Sequence, residues 1–133
     1  MAEKTTKIKT AKKKSLVTIT SKGKLYITST FNNTIVTITN EKGEPVSWSS
    51  SGHKGFKGTR KSTPYAGGMA VEDASKKALA KGIKQVDIFI KGPGTGRDQG
   101  LRAVKTSGLS ILSISDITPI PHNGPRAKKK RRV

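Results

Sequence analysis

The sequence contains no cysteine among its 133 residues, and it has only eight acidic residues against 27 lysines and arginines. Without cysteine the chain can form neither disulfide bonds nor cysteine-ligated zinc or iron–sulfur sites, and thiol catalysis is excluded. No apolar run reaches the ~18 residues that indicate a membrane-spanning helix. These absences exclude a disulfide-stapled secreted domain and a helical membrane protein.

The amino-terminal segment, MAEKTTKIKTAKKK, lacks the apolar stretch of a secretory signal. Its lysine-rich, acid-poor composition is shared with organelle transit peptides. Such peptides are rich in arginine, however, and the first arginine of this chain is Arg60. A transit peptide is therefore the less favoured interpretation.

The net charge of +19 is concentrated at the two ends of the chain. Residues 1–24 hold eight lysines and one acid, and residues 125–133 hold six basic residues and no acid. Few large apolar side chains lie in these ends, so burial cannot offset the entropy of ordering them. We expect a basic flexible arm at residues 1–21 and a basic disordered tail at 125–133. One α/β domain at 22–124 fits the length between them.

Three short runs of β-branched and alternating residues predict an antiparallel meander. They are Leu25–Thr30, Thr34–Asn40 and Pro45–Ser50, and the turn at 40–43 suits a hairpin between the last two. Leu16–Thr20 is a further β-prone run of uncertain status.

A helix should follow the meander, with Thr63 as N-cap, Pro64 at the first helical position and Gly82 just beyond the end. Alanine recurs at every fourth position in this helix, which lets it lie close to a sheet; the positions are Ala66, Ala70, Ala74 and Ala78.

The second half of the domain repeats the strand–helix alternation. Gln85–Ile90 reads as a strand, Asp98–Ser107 as a weaker helix and Leu109–Ile117 as a last strand. A βαβαβ order predicts parallel pairing with right-handed crossovers. The expected fold is a mixed α/β sheet of about five strands, in which the meander joins the βαβαβ unit, with two main helices packed on it.

The loop His53–Lys61 (HKGFKGTRK) has four basic residues, no acid, two glycines and one aromatic residue. Such a loop can approach RNA closely and bind phosphates, with the aromatic ring stacked on a base or ribose. The candidates are Lys54, Phe56, Lys57, Arg60 and Lys61. The alternative is a solvated loop with Phe56 packed into the core.

The glycine-rich segment GPGTGR, residues 92–97, lies between a strand and a helix. Helix N-termini bind anions, and an arginine adds a two-pronged phosphate contact, so Gly94, Gly96 and Arg97 are candidates for an RNA phosphate. The segment has no GK[ST] and no dinucleotide fingerprint, which disfavours a free nucleotide. A purely structural turn remains open.

Three prolines hold residues 119–125 extended before the basic tail. His122 reads as a linker histidine rather than a metal ligand, and Asn123-Gly124 permits a tight turn. The tail beyond them can reach charges far from the domain.

An enzyme is disfavoured, because the core acids are isolated or face lysines, and the two histidines lie 69 positions apart. We therefore predict no catalytic residue, no metal site and no cofactor. Composition alone permits a DNA-binding protein of the nucleoid type as the alternative to RNA binding, although no helix-turn-helix, zinc-finger or basic-zipper pattern is present.

Three segments together resemble the bacterial-type family of ribosomal protein eleven of the small subunit. They are TFNNTIVTITNEKGEPVSWSSSGHKGFKGTRKSTPYA, IKGPGTGRDQGLRA and ISDITPIPHNGPRAKKKRRV. The resemblance covers residues 22–133. It implies a ribonuclease-H-like α/β fold and a structural role in the small ribosomal subunit, in the cytoplasm or in a plastid. The nuclease members of that fold carry acids on their first strand, and Leu25–Thr30 has none.

The resemblance further implies a place on the platform of the subunit, where the protein would bridge several helices of 16S-type rRNA near the mRNA exit channel and the Shine–Dalgarno cleft. Ribosomal proteins seven, eighteen and twenty-one would be neighbours, with mRNA and an initiation factor nearby and no membrane or small-molecule substrate. The implied RNA-facing residues are Lys54, Phe56, Lys57, Arg60, Lys61, Gly94, Gly96, Arg97, His122, Asn123, Arg126, Lys128, Lys129, Lys130, Arg131 and Arg132.

The sequence departs from the family pattern in a few places. Pro125 stands where a cysteine is expected, and Asp98 stands where a glutamate is common. Gly67, Gly68 and Gly100 lie within the two predicted helices, where we expect them to weaken the helices without altering the loop chemistry.

Overall fold

The computed structural model describes residues 18–133. Within them the chain forms five strands and two α-helices, with a 3₁₀ turn at Gly58–Ser62 before the first helix. The elements are β1 (Lys22–Ser29), β2 (Thr34–Asn40), β3 (Pro45–Ser50), α1 (Pro64–Ala80), β4 (Gln85–Lys91), α2 (Gly96–Ser107) and β5 (Ser110–Asp116). The run predicted at Leu16–Thr20 begins outside the described residues, and residues 18–20 are not in a strand.

The five strands form one mixed sheet in the order β3-β2-β1-β4-β5. Strand β1 pairs antiparallel with β2 and parallel with β4, β2 pairs antiparallel with β3, and β4 pairs parallel with β5. The predicted meander joined to a βαβαβ unit is therefore confirmed, as is the α/β class that the family resemblance implies. Most of the predicted arm at 1–21 lies outside the described residues.

Both helices pack on the same face of the sheet. The apolar side chains of that face are fully or almost fully buried, and they come from β1, β2 and β4: Leu25, Ile27, Val36, Ile38, Val86, Ile88 and Ile90. Helix α1 crosses β2 and β3, and Ser47 on β3 donates a hydrogen bond to the backbone oxygen of Ala74, 3.0 Å away. Helix α2 lies beside α1 and above β1, where Gly100 faces Ile27.

The alanine stripe of α1 has the role that its spacing predicts. Ala66, Ala70, Ala74 and Ala78 are all fully buried. The helix begins as expected, because the Thr63 hydroxyl accepts a hydrogen bond from the Ala66 N–H at 3.3 Å and Pro64 follows it. It ends at Ala80, and Gly82, just beyond the end as predicted, has a φ of 105°, a left-handed conformation that glycine adopts without strain.

The glycines that were expected to weaken the helices lie where α1 and α2 meet. A β-carbon on Gly67 would lie 3.0 Å from the Cα of Gly96, and one on Gly68 would lie 2.9 Å from the Cγ of Gln99. The missing side chains allow the two helices to approach closely, so the cost in helix propensity is offset by packing. Helix α2 starts two residues earlier than predicted.

The opposite face of the sheet has no helix over it in residues 18–133. Tyr26 and Phe89, on neighbouring strands, stack there with ring centroids 5.2 Å apart. Trp48 is 55% exposed on this face, and Ile35 is exposed on β2. The structure places Trp48 at the surface beside His53. None of the described helices is both long and apolar enough to cross a lipid bilayer.

Candidate nucleic-acid interface

The three segments that the sequence singled out meet at one end of the sheet. Strands β1, β3, β4 and β5 run in the same direction, so they all finish at this end, which we call the carboxyl edge. The hydroxyl of Thr95 in the glycine-rich segment donates a hydrogen bond to the backbone oxygen of Ser62, 2.6 Å away. The Gly92 N–H donates to the hydroxyl of Thr118, 3.2 Å away. Two hydrogen bonds thus link the glycine-rich segment to Ser62, directly after the basic loop, and to Thr118, directly before the proline-containing segment that leads to the tail.

The basic loop after β3 is held in shape by its own backbone. The N–H groups of Lys54, Gly55 and Phe56 donate to backbone oxygens of residues 50, 52 and 51 at 3.1, 3.2 and 3.3 Å. Gly55 and Gly58 have φ values of 92° and 59°, which favour glycine at both positions. The two glycines of the loop therefore serve its turns, in addition to any close approach by a partner.

The cations of this loop differ in whether an acidic side chain of the protein lies close to them. Lys54 lies 3.4 Å from a carboxylate oxygen of Asp73 on α1. Lys57 and Arg60 are exposed and Lys61 is half-buried, and no acidic side chain within the described chain lies at ion-pair distance from any of the three. Three unneutralised charges at one surface are suited to phosphate binding.

Asp73 on α1 forms ion pairs with two lysines at the base of the loop. It lies 2.7 Å from Lys77, one turn further along α1, as well as beside Lys54. Partial burial acts to raise the pKa of Asp73, but hydrogen bonds from Lys77, Ser49 and Lys54 outweigh it, so the pKa lies below its ordinary value. The charged carboxylate therefore ties the loop to the helix.

Phe56 takes up a position between its two predicted alternatives. Its ring is half-buried, and it meets the ring of Tyr65 edge to face with centroids 5.9 Å apart. It also lines a shallow depression together with four residues of the basic loop: Lys54, Gly55, Lys57 and Arg60. Its stacking on a base stays a prediction, and the depression gives a base a place beside three cations.

The glycines of the second segment are turned into the domain. Gly94 and Gly96 are buried, and the Gly94 N–H donates to the backbone oxygen of Ser29 at 2.9 Å. A β-carbon on Gly94 would lie 2.2 Å from the Ser29 hydroxyl oxygen, and one on Gly96 would lie 2.4 Å from the hydroxyl oxygen of Thr34. Packing alone therefore requires glycine at both positions, and their contact with RNA stays a prediction.

Arg97 is engaged within the protein. One of its guanidinium nitrogens donates to the Gly92 backbone oxygen at 3.1 Å, and the other lies 2.7 Å from a carboxylate oxygen of Asp116. The side chain and backbone of Thr118 also donate to Asp116, and with Arg97 they lower the pKa of this carboxyl to about 2. This network fixes the point at which the chain leaves β5.

From residue 121 the chain is exposed throughout and has no regular secondary structure. Asn123 has a φ of 56°, which agrees with the turn expected at Asn123-Gly124. His122, Asn123 and Arg126 lie on this exposed stretch, and the five basic residues at 128–132 follow them. The tail thus starts at the carboxyl edge, the same end of the sheet as the basic loop, but after β5 at one side of the sheet, whereas the loop follows β3 at the other side.

Sequence reasoning overlooked an aromatic residue at the same edge. Phe31, in the turn between β1 and β2, is 74% exposed. The turn is closed by the Thr30 N–H, which donates to the backbone oxygen of Asn33 at 2.8 Å, so the two asparagines at 32–33 serve a turn. A large apolar side chain inside a tight polar turn was the available signal.

The first described residues lie at the opposite end of the sheet. The side-chain nitrogen of Asn40 donates to the Thr18 backbone oxygen at 3.0 Å, and the Lys84 N–H donates to the backbone oxygen of Ser21 at 2.8 Å. Residues 18–21, with which the described part of the chain begins, therefore lie at the end of the sheet far from the tail. Among residues 18–133 there is no cluster of three or more histidines and acids that could hold a metal ion.

A compact α/β domain that gathers a basic loop and a basic tail at one edge has the features of a protein that binds nucleic-acid phosphates. Residues 23–132 match the family model of ribosomal protein S11. A small ribosomal subunit protein uS11 from Flavobacterium johnsoniae is 50% identical over 124 residues, which cover 93% of this chain and 97% of that protein. The chain belongs to the ribosomal protein S11 family.

Membership in this family carries several consequences. It is a family of structural proteins of the small ribosomal subunit and not a family of enzymes. The protein therefore functions in translation as part of a ribonucleoprotein, within the ribosome and among rRNA and other ribosomal proteins.

Proposed function

We propose that this protein binds 16S-type rRNA on the platform of the small subunit and bridges several RNA helices there, near the mRNA exit channel and the Shine–Dalgarno cleft. Ribosomal proteins seven, eighteen and twenty-one are its proposed neighbours, with mRNA and an initiation factor nearby, in a cytoplasmic ribosome. The observation that carries the proposal is the meeting of the basic loop and the tail at the carboxyl edge of a domain of this family.

The proposed RNA-contacting residues fall into groups according to whether each side chain already has a partner within the protein. The strongest candidates are the cations of the loop and the tail that have no acidic partner among residues 18–133, namely Lys57, Arg60, Lys61, Arg126 and the five basic residues at 128–132. Lys54, Phe56, His122 and Asn123 form the surface around them. Gly94, Gly96 and Arg97 support that surface from below, since packing and an ion pair already occupy them.

Bridging is supported by the separation of the two basic regions. Strand β1 has eight residues, which span about 26 Å at ~3.3 Å per residue. The lysine-rich arm joins one end of this strand, and the loop and tail lie at the other. Cations at both ends can neutralise two separate RNA helices and relieve the repulsion between them.

The experiment is to measure the binding of the full chain to platform fragments of 16S-type rRNA over a range of salt concentrations. Each duplex phosphate contact contributes about 0.9 to the slope of log affinity against log salt, and each single-strand contact about 0.7. The pair K57Q and R60Q should therefore flatten the slope by about 2 units. Deletion of Arg126–Val133, with six basic residues, should flatten it by about 4–5 units.

A matched pair, K76Q and K105Q, removes the same charge from exposed positions on the helices and should leave the slope close to that of the parent. If the loop pair and the helix pair change the slope equally, binding is nonspecific and the proposed interface is wrong. Duplex DNA as competitor tests the remaining alternative. Equal affinity for DNA and rRNA at physiological salt would contradict recognition of folded RNA.

A further inference from the structure

We propose that the free edge of β5 is a docking site for an extended segment of another small-subunit ribosomal protein, which adds a strand to the sheet. The inference rests on the proposed function, because it assumes that the protein is placed among such neighbours. It assigns to β5 a partner that is protein, whereas the carboxyl edge contacts RNA.

Strand β5 is the last strand of the sheet and pairs on one side only, with β4. The Ile117 N–H donates to the Ile90 backbone oxygen at 2.8 Å, so residue 117 faces β4. Because backbone groups alternate along a strand, the N–H and C=O groups of Asp116 and Ile114 point away from β4. No other segment of residues 18–133 pairs with this side. A row of unpaired donors and acceptors is a template for an added strand.

Large apolar side chains are exposed on this strand and directly after it, among serines. In β5 Leu112 is 47% exposed and Ile114 54%; after it Ile117 is 44% exposed and Ile120 76%. Edge strands that remain in water are ordinarily protected by lysine, proline or a covering element. Within β5 there is neither lysine nor proline. An exposed apolar edge of this kind is typical of a surface that a partner covers.

The charge distribution decides which partner fits. Residues 106–125 contain no lysine or arginine, and Asp116 is their only acid. In a chain with a net charge of +19, this segment of 20 residues carries a formal charge of −1. RNA backbone contacts need free cations; this segment has none, and Arg97, which reaches it, is already paired with Asp116.

The occupant is therefore an extended, uncharged protein segment with apolar or β-branched side chains at alternate positions. A basic segment is repelled by the net positive charge of this protein, and the single acid of the β5 edge, Asp116, is already paired with Arg97. Main-chain hydrogen bonds supply affinity in such strand addition, and the exposed leucine and isoleucines supply the pockets for side chains.

The test places a photoreactive side chain at one position in each surface of the full chain. p-Benzoylphenylalanine replaces Leu112 in one variant and Phe56 in another, and small subunits are assembled from rRNA and the remaining subunit proteins. The Leu112 variant should cross-link to a segment of another ribosomal protein, and the Phe56 variant should cross-link to rRNA.

The paired design separates the two proposals. If Leu112 cross-links to rRNA or to a second copy of this chain, or to nothing, while Phe56 cross-links to rRNA, the docking inference is overturned and the proposed function stands. If Phe56 fails to reach rRNA, the proposed function is wrong at that position whatever Leu112 contacts.

Substitutions test the strand pairing itself. I114P removes an outward N–H without breaking the pairing with β4, and I114K introduces a charge at the apolar edge. Each should lower incorporation into assembled subunits by about tenfold or more, while binding to isolated rRNA stays unchanged. I35K, an equal change at an exposed position of β2, is the control for folding and charge. Equal incorporation of I114K, I35K and the parent would overturn the inference.

Discussion

Replacing Gly94 by alanine separates a packing role from an RNA-contact role at the glycine-rich segment. A β-carbon there would lie 2.2 Å from the Ser29 hydroxyl oxygen and 2.4 Å from the Thr30 backbone oxygen. The φ of this glycine is not positive, so the conflict is steric and does not arise from backbone preference. The Thr30 oxygen belongs to the β1–β2 turn and cannot rotate away. Overpacking of this kind costs about 2–3 kcal/mol of unfolding free energy.

The measurement is urea unfolding of the full chain. At m-values of ~1–3 kcal/mol per molar urea, that loss lowers the midpoint by about 1 M. Gly124→Ala is the matched control, because nothing lies within 4 Å of its β-carbon and its stability should change by less than about 0.5 kcal/mol. An unchanged midpoint for Gly94→Ala, together with weakened rRNA binding, would refute the packing argument and assign this glycine to the RNA.

Two further predictions concern the residues that position the loop and the tail. Thr63→Ala removes the cap of α1 and the hydroxyl that donates to the Arg60 backbone oxygen, 2.7 Å away, so the unfolding free energy should fall by about 1 kcal/mol, and Thr63→Ser should restore most of it. The pKa of Asp116, about 2, lies below its ordinary value of 3.8, so the stabilisation it gives is complete above about pH 4 and is lost as the pH falls toward 2. A carboxyl NMR titration of the full chain should give that midpoint, and Thr118→Val should raise it; an unmoved midpoint would contradict the assigned hydrogen bonds.

The sequence was sufficient to predict the helices and strands, because the residue patterns that indicate them are local. The run Thr34–Asn40 reads as a strand from its own β-branched residues, and the structure gives the same bounds. The spacing of the four alanines of α1 is enough to predict that they are buried, and Thr63-Pro64 marks the start of the helix. The parallel pairing of the second half followed from the alternation of strands and helices, whereas the order of the five strands became known from the structure.

The inward orientation of the glycine-rich segment could not be read in the same way. Its environment is made by residues far along the chain, such as the Ser29 backbone oxygen and the hydroxyl of Thr34. Arg97 likewise finds its partner 19 positions away, at Asp116. The residue type is the same whether a glycine packs against a strand or approaches a phosphate, so the sequence does not distinguish these two roles. Only the fold tells them apart.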